Sequence, residues 1–146
     1  MKKLIYLITG VICITFISCE HDINNGIDFL SPKGVIESDT LEVMRGDSVK
    51  INILLSDESG ISRVSFSYAD WNITDDVLIE KVSMTNQYQY TYTVKVPLSA
   101  SLEWQENFQK HDGTNFLITQ HYHKLSLTCY DGLKNKNTFY IYIKAK

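Results

Sequence analysis

Side chains of alternating polarity recur through most of this chain, and a period of two fits a half-buried β-strand and little else. Val49, Ile51, Ile53 and Leu55 alternate with Lys50, Asn52 and Leu54. Val64, Phe66 and Tyr68 alternate with Ser65 and Ser67, and Tyr88, Tyr90, Tyr92, Val94 and Val96 with Gln89, Thr91, Thr93 and Lys95. His123, Leu125, Leu127 and Cys129 alternate with Lys124, Ser126 and Thr128, and Phe139, Ile141 and Ile143 with Tyr140 and Tyr142. Shorter candidates are Ile27 to Leu30, Thr40 to Val43 and Val77 to Ser83. Seven or eight strands with almost no helical periodicity predict an all-β chain. An antiparallel β-sandwich of two sheets buries such faces most economically. The nine tyrosines agree, because aromatic side chains favour strands over helices.

Asp and Asn bond their own backbone in turns and Gly supplies positive φ. Such residues separate the runs at Asp57-Glu58-Ser59-Gly60 and at Asp131-Gly132 with Lys134-Asn135. With 146 residues there is room for one core, and 44% hydrophobic with 21% charged residues excludes wholesale disorder.

The N-terminus has a separate character. Lys2 and Lys3 precede an uncharged stretch from Leu4 to Ile17, too short for a comfortable membrane span and suited to a signal-peptide core. The stretch ends in Phe16-Ile17-Ser18-Cys19, which resembles a bacterial lipobox. That resemblance implies cleavage before Cys19 and lipidation of its thiol. The expected organisation is a lipoprotein signal peptide over 1–18, a lipidated flexible tether over 19–26 and a β-sandwich domain over 27–146. Glu20-His21-Asp22 weakly resembles the acidic run that sends Bacteroidota-type lipoproteins to the outer face. The expected location is therefore the bacterial outer membrane, on its cell-surface or periplasmic side, with the membrane a partner through acyl chains.

Removing residues 1–18 leaves 12 basic against 17 acidic residues, a net charge of −5. An acidic domain repels polynucleotides, so nucleic acid is not an expected partner. With Cys13 removed and Cys19 lipidated, Cys129 is the remaining thiol and is expected to pack in the core, with no intramolecular disulfide.

Two segments carry a resemblance to a known fold family. Asp57, Gly60, Ile61 and Val64 match the D-x-x-G-I/L-x-x-V segment between early strands of bacterial immunoglobulin-like domains. His123 to Gly132 is similar to their penultimate strand, which runs Y-x-L-x-V-x-A-x-D into a turn. With the lipobox, the chain resembles the small Ig-like lipoproteins of unknown function of Bacteroidota type. The resemblance implies an Ig-like sandwich in which Asp57 and Asp131 pin turns and Leu125, Leu127 and Cys129 fill the core. It implies no activity. The chain departs from the pattern in the turn after Asp131 and in a 24-residue connection from Pro97 to Gln120. Within that connection a short helix over Ser101 to Lys110 is expected, with Ser99 or Ser101 as cap. The connection is either a plug over one end of the sandwich or a binding loop.

Candidate sites are few. His121 and His123 lie two apart in an extended run, which puts both on one face, and His111 on the adjoining loop can complete an imidazole cluster for Zn²⁺, Cu²⁺ or haem iron. Against this, His123 occupies the inward tyrosine position of related strands. Trp71, Trp104 and Phe108, with the Tyr88–Tyr90–Tyr92 ladder, can stack sugar rings if they face solvent. H-E-x-x-H, G-x-S-x-G and phosphate-cradling glycine loops are missing from the sequence. The expected function is a non-catalytic cell-envelope binding or accessory module without a cofactor, whose partner is a glycan or an envelope protein. A metal or haem carrier and a purely structural envelope protein are the alternatives.

Overall fold

The structure, a computed structural model, describes residues 30–146. The signal-like segment, Cys19, the tether and most of the expected Ile27–Leu30 strand lie outside the described residues. The strands are β1 (Lys33–Ile36), β2 (Thr40–Val43), β3 (Ser48–Ser56), β4 (Ile61–Tyr68), β5 (Ile73–Leu78), β6 (Gln87–Lys95), β7 (Trp104–Gln109), β8 (Asn115–Gln120), β9 (His123–Asp131) and β10 (Lys136–Ala145). Helical structure among the described residues is limited to single 3-10 turns at Ala69–Trp71 and Lys81–Ser83. The described chain is all-β, as the alternation predicts.

Eight of these strands form two open sheets, in the orders β1-β3-β6 and β2-β10-β9-β4-β5. Pairing is antiparallel except where β2 runs parallel to β10. The inward positions of the alternating runs meet between the sheets. Ile51, Ile53 and Leu55 of β3 and Tyr90 and Val94 of β6 face Val64 and Phe66 of β4, Leu125, Leu127 and Cys129 of β9, and Ile141 and Ile143 of β10. Phe66 bridges the layers, its ring 5.2 Å from that of Tyr92 and 6.1 Å from that of Tyr90. Burial pushes the Cys129 thiol up to about 11, which keeps it a neutral packing group.

Two turns close the end of the sandwich at which the described chain enters. Asp57 accepts hydrogen bonds from the Ser59 N–H at 2.9 Å and from the Ser59 hydroxyl at 2.7 Å. Asp131, fully buried, accepts from the N–H groups of Leu133 and Asn135 at 2.8 and 2.7 Å and from the Asn135 amide at 2.7 Å. Gly132 joins the two turns: its N–H donates to the Gly60 carbonyl at 2.9 Å, and a Cβ there would lie 2.6 Å from the Ser59 carbonyl oxygen. Lys33, Ser56, Ile61, Gln87 and Asp131 therefore mark one end. Ser48, Lys95, Tyr68 and His123 mark the other, about 30 Å away along a nine-residue strand.

The connection from Pro97 to Gln120 corrects the expected helix. Trp104 and Phe108 are spaced for one helical face, but with Glu106 they also alternate with Gln105 and Asn107, and β8 offers matching partners. Phe108 pairs with Phe116 and Glu106 with Ile118. The turn is closed by Asp112, which accepts from the Thr114 N–H at 2.9 Å, and by Gly113 at φ +86°. The segment is thus a two-stranded hairpin. The expected Val77–Ser83 strand is displaced as well: β5 begins at Ile73, and Lys81–Ser83 forms a 3-10 turn. Asp75 and Asp76 belong to β5 because each has a partner, Tyr90 and Arg63 respectively.

Candidate functional site

At the end far from where the described chain enters, four aromatic rings from three parts of the chain converge. His123 is the first inward residue of β9 and is 3% exposed. Tyr68 ends β4, Trp71 sits in the 3-10 turn that follows, and Trp104 opens β7. The His123 ring lies between the two indoles, 4.8 Å from Trp104 at 29° and 4.5 Å from Trp71 at 48°. Tyr68 meets Trp71 edge-on at 5.2 Å and His123 at 5.7 Å. Such offset and edge-on contacts each add about 1 kcal/mol beyond area burial.

Hydrogen bonds fix the imidazole within this stack. Nε2 donates to the Ser101 carbonyl at 2.8 Å, which requires a proton on that nitrogen because a carbonyl only accepts. Nδ1 lies 2.8 Å from the Tyr68 hydroxyl, whose single proton is shared between it and the Asp70 carboxylate, also at 2.8 Å. Burial first, and then the Asp70 carboxylate, push the Tyr68 phenol well above its ordinary value, so it stays protonated. His123 thereby ties β9 to β4 on one side and to the segment leading into β7 on the other.

The hairpin extends from this stack and is two-faced. One face carries Trp104, Glu106 and Phe108 beside Gln120, Ile118 and Phe116; the other carries Gln105, Asn107 and Gln109 beside Thr119, Leu117 and Asn115. Phe108 and Phe116 are 36% and 37% exposed with ring centroids 6.0 Å apart, and Lys110 lies over the Phe116 ring at 5.6 Å. Leu102 and Tyr122 flank the hairpin's base, also exposed. The polar face is rich in amides, among which Gln105 donates to Thr119 at 2.8 Å.

The site residues expected from sequence are partly brought together. Trp71, Trp104 and His123 meet, and Phe108 continues the apolar face outward from Trp104. The three histidines do not converge. His121 and His123 were expected on one face, but the chain leaves β8 and enters β9 between them, so His121 is exposed, 3.9 Å from the Glu103 carboxylate, while His123 is buried. His111 is exposed in the hairpin turn. Both His123 nitrogens are already engaged, and no group of three His, Cys, Asp or Glu side chains able to hold a metal ion occurs among the described residues. The tyrosine ladder points inward, with Tyr90 buried and bonded to Asp75 at 2.7 Å, so it is core and not a sugar platform.

Sequence reasoning missed Phe116 and Ile118 as partners of Phe108, although the Phe116-Leu117-Ile118 run after Asp112-Gly113 carried the hairpin signal. A groove of about 200 Å³, open to solvent, lies at the opposite end between Lys33, Asp57, Glu58 and Gln87. No known family model matches the chain, and no curated protein is significantly similar to it.

Proposed function

We propose that the protein is a lipid-anchored, non-catalytic binding module of the bacterial cell envelope, built on an Ig-like sandwich and presenting the β7–β8 hairpin as its recognition end. The observation that carries this reading is the hairpin itself: an exposed apolar face held to the sandwich by Trp104 stacked on His123. Contiguous exposed apolar side chains rimmed by polar ones mark interaction sites. The Ig-like assignment draws support from the sheet orders and from the crossing of the first two strands, β1 in one sheet and β2 parallel to β10 in the other.

Orientation supports the same reading. The described chain enters at the end opposite the aromatic stack. A lipid on Cys19 would hold that end toward the membrane and leave the hairpin pointing away, about 30 Å further out.

A glycan suits the surface better than a charged ligand. Exposed rings offer stacking planes, and Gln120 on the same face both donates and accepts, as hydroxyl recognition requires; Gln105, Asn107, Gln109 and Asn115 give the opposite face of the hairpin the same capacity. Glu106 and Lys110 are the charged side chains among them. The test uses the chain's two tryptophans, both of which lie in the stack. Titration with soluble β-glucan, α-mannan and peptidoglycan fragments is expected to change tryptophan emission saturably for one of them. The Phe108→Ser/Phe116→Ser variant is expected to lose that response. Unchanged emission with every glycan would remove the glycan reading.

A further inference from the structure

Among the described residues the outer edge of β6 is unpaired, and we infer that it is the site at which a second copy of this chain pairs, joining two three-stranded sheets into one of six strands. The direction of its peptide groups follows from its two ends. The Asn86 carbonyl accepts from the Asp57 N–H at 3.0 Å, and the Val96 N–H donates to the Asp47 carbonyl at 2.9 Å. Even-numbered residues between them turn their peptide groups toward β3. Gln87, Gln89, Thr91, Thr93 and Lys95 therefore turn theirs outward. The Gln87 carbonyl accepts from the Thr85 hydroxyl; the N–H groups of Gln89, Thr91 and Thr93 have no partner among the described residues.

Strand edges are normally blunted by shortness, charge, proline or a bulge. The other edges of the two sheets follow this rule. β1 and β2 have four residues each and carry Lys33 and Glu42, and β5 carries Asp75 and Asp76. β6 has nine residues, a continuous register against β3, no proline and no charge from Gln87 to Thr93. β8, uncharged too, turns only Asn115, Leu117 and Thr119 outward, because the Lys110 N–H donates to the Thr114 carbonyl.

The edge is also complementary to itself. An antiparallel pairing centred on Thr91 sets Gln89 against Thr93 and Gln87 against Lys95 of the second copy, about ten backbone hydrogen bonds in all. Every outward side chain then meets an outward one, Lys95 faces no like charge, and Thr91 lies beside its own equivalent. On the inner face Tyr90 meets Tyr92 and Tyr88 meets Val94, which covers the half-buried Tyr88 and Tyr92.

Sedimentation velocity from micromolar to millimolar concentration tests this on the chain from Glu20 onward, which keeps every residue of the core. The expected result is a dimer at the upper concentrations. Thr91→Pro removes an outward N–H without breaking the ladder to β3 and is expected to weaken association about tenfold or more. Thr91→Val, which loses the same hydroxyl but keeps the N–H, is expected to stay dimeric, as is Phe108→Ser/Phe116→Ser. Hydrogen exchange gives a check free of mutation: the Gln89, Thr91 and Thr93 amides gain protection with concentration, while Tyr88, Tyr90 and Tyr92 are protected throughout. A monomer at every concentration overturns the inference and leaves the edge to a foreign strand. A dimer in which those three amides stay unprotected also overturns it. Loss of dimer in the phenylalanine variant instead would move the interface to the hairpin.

Discussion

Replacing His123 by Phe separates the two ways in which this residue can hold the aromatic stack and the hairpin together. The substitution keeps an aromatic ring of similar size between Trp71 and Trp104 and deletes the bonds to Tyr68 and Ser101. Tyr68 retains Asp70 as acceptor, and the exposed Ser101 can turn its carbonyl to water, so neither partner is stranded. Two net hydrogen bonds at about 1 kcal/mol each give a cost of about 2 kcal/mol. For a domain of this size that lowers Tm by ~8 °C. His123→Ala removes the ring as well, and by analogy with buried aromatic truncations costs about 4 kcal/mol. The hairpin is expected to respond more steeply than the core, since an isolated two-stranded hairpin is marginal in water. The assay is urea unfolding with amide hydrogen exchange on wild type and both variants. His123→Ala is expected to accelerate exchange at Gln105, Asn107, Thr119 and Gln120, with His123→Phe intermediate. If His123→Ala changes stability by less than ~0.5 kcal/mol and leaves hairpin exchange unaltered, the stack does not anchor the hairpin.

Other expectations follow from the turns, the core and the N-terminus. Asp131→Ala removes three hydrogen bonds to a buried carboxylate and is expected to cost about 3 kcal/mol in denaturant unfolding, with Asp131→Asn less harmful. Gly132→Ala is expected to lower Tm, because its Cβ would collide with the Ser59 carbonyl oxygen. Cys129, held neutral to about 11, is expected to resist thiol reagents at pH 8 until the domain is unfolded by urea. The same shift sets a pH dependence. The unfolded thiol ionises near ~8.5 while the folded one waits until about 11, so stability falls as pH rises through that window; the raised Tyr68 and Tyr90 phenols act in the same direction from ~10 upward. Cys19→Ser is expected to abolish incorporation of labelled palmitate and to leave a heavier, unprocessed chain on gels.

The sandwich was legible wherever one strand carries its own alternation. β3, β4, β6, β9 and β10 stand out by period, and β2 was marked by the short Thr40–Val43 run. β1 was not, because Lys33–Ile36 is four residues long and contains Gly34; what holds it is β3 on one side and the Phe139 ring packed on Gly34. β5 was misplaced because Asp75-Asp76 resembles a loop until Tyr90 and Arg63 are seen to satisfy both carboxylates. The hairpin was missed for a different reason: Trp104 and Phe108 fit both periods, and only Asp112-Gly113 and the Phe116-Leu117-Ile118 run decide between them.

The aromatic stack and the hairpin are legible in the sequence only in parts. Trp71, Trp104, Phe108 and His123 are each candidates in the sequence, but under two separate chemistries, sugar stacking and metal binding. The meeting of both tryptophans on His123 depends on β4, β7 and β9 ending at one place, which no local pattern encodes. Likewise, the separation of His121 from His123 depends on where β8 stops. A period-two rule holds only within one uninterrupted strand.

We propose the end built on His123 and the β7–β8 hairpin as the surface that recognises a ligand. Amide and indole chemical-shift mapping during titration with the same β-glucan, α-mannan and peptidoglycan fragments tests it most directly. Saturable shifts confined to Trp104–Gln120, Tyr122 and the two indole N–H groups are expected. Shifts clustered instead around Lys33, Asp57, Gln87 and Gly132, at the opposite end, would contradict it.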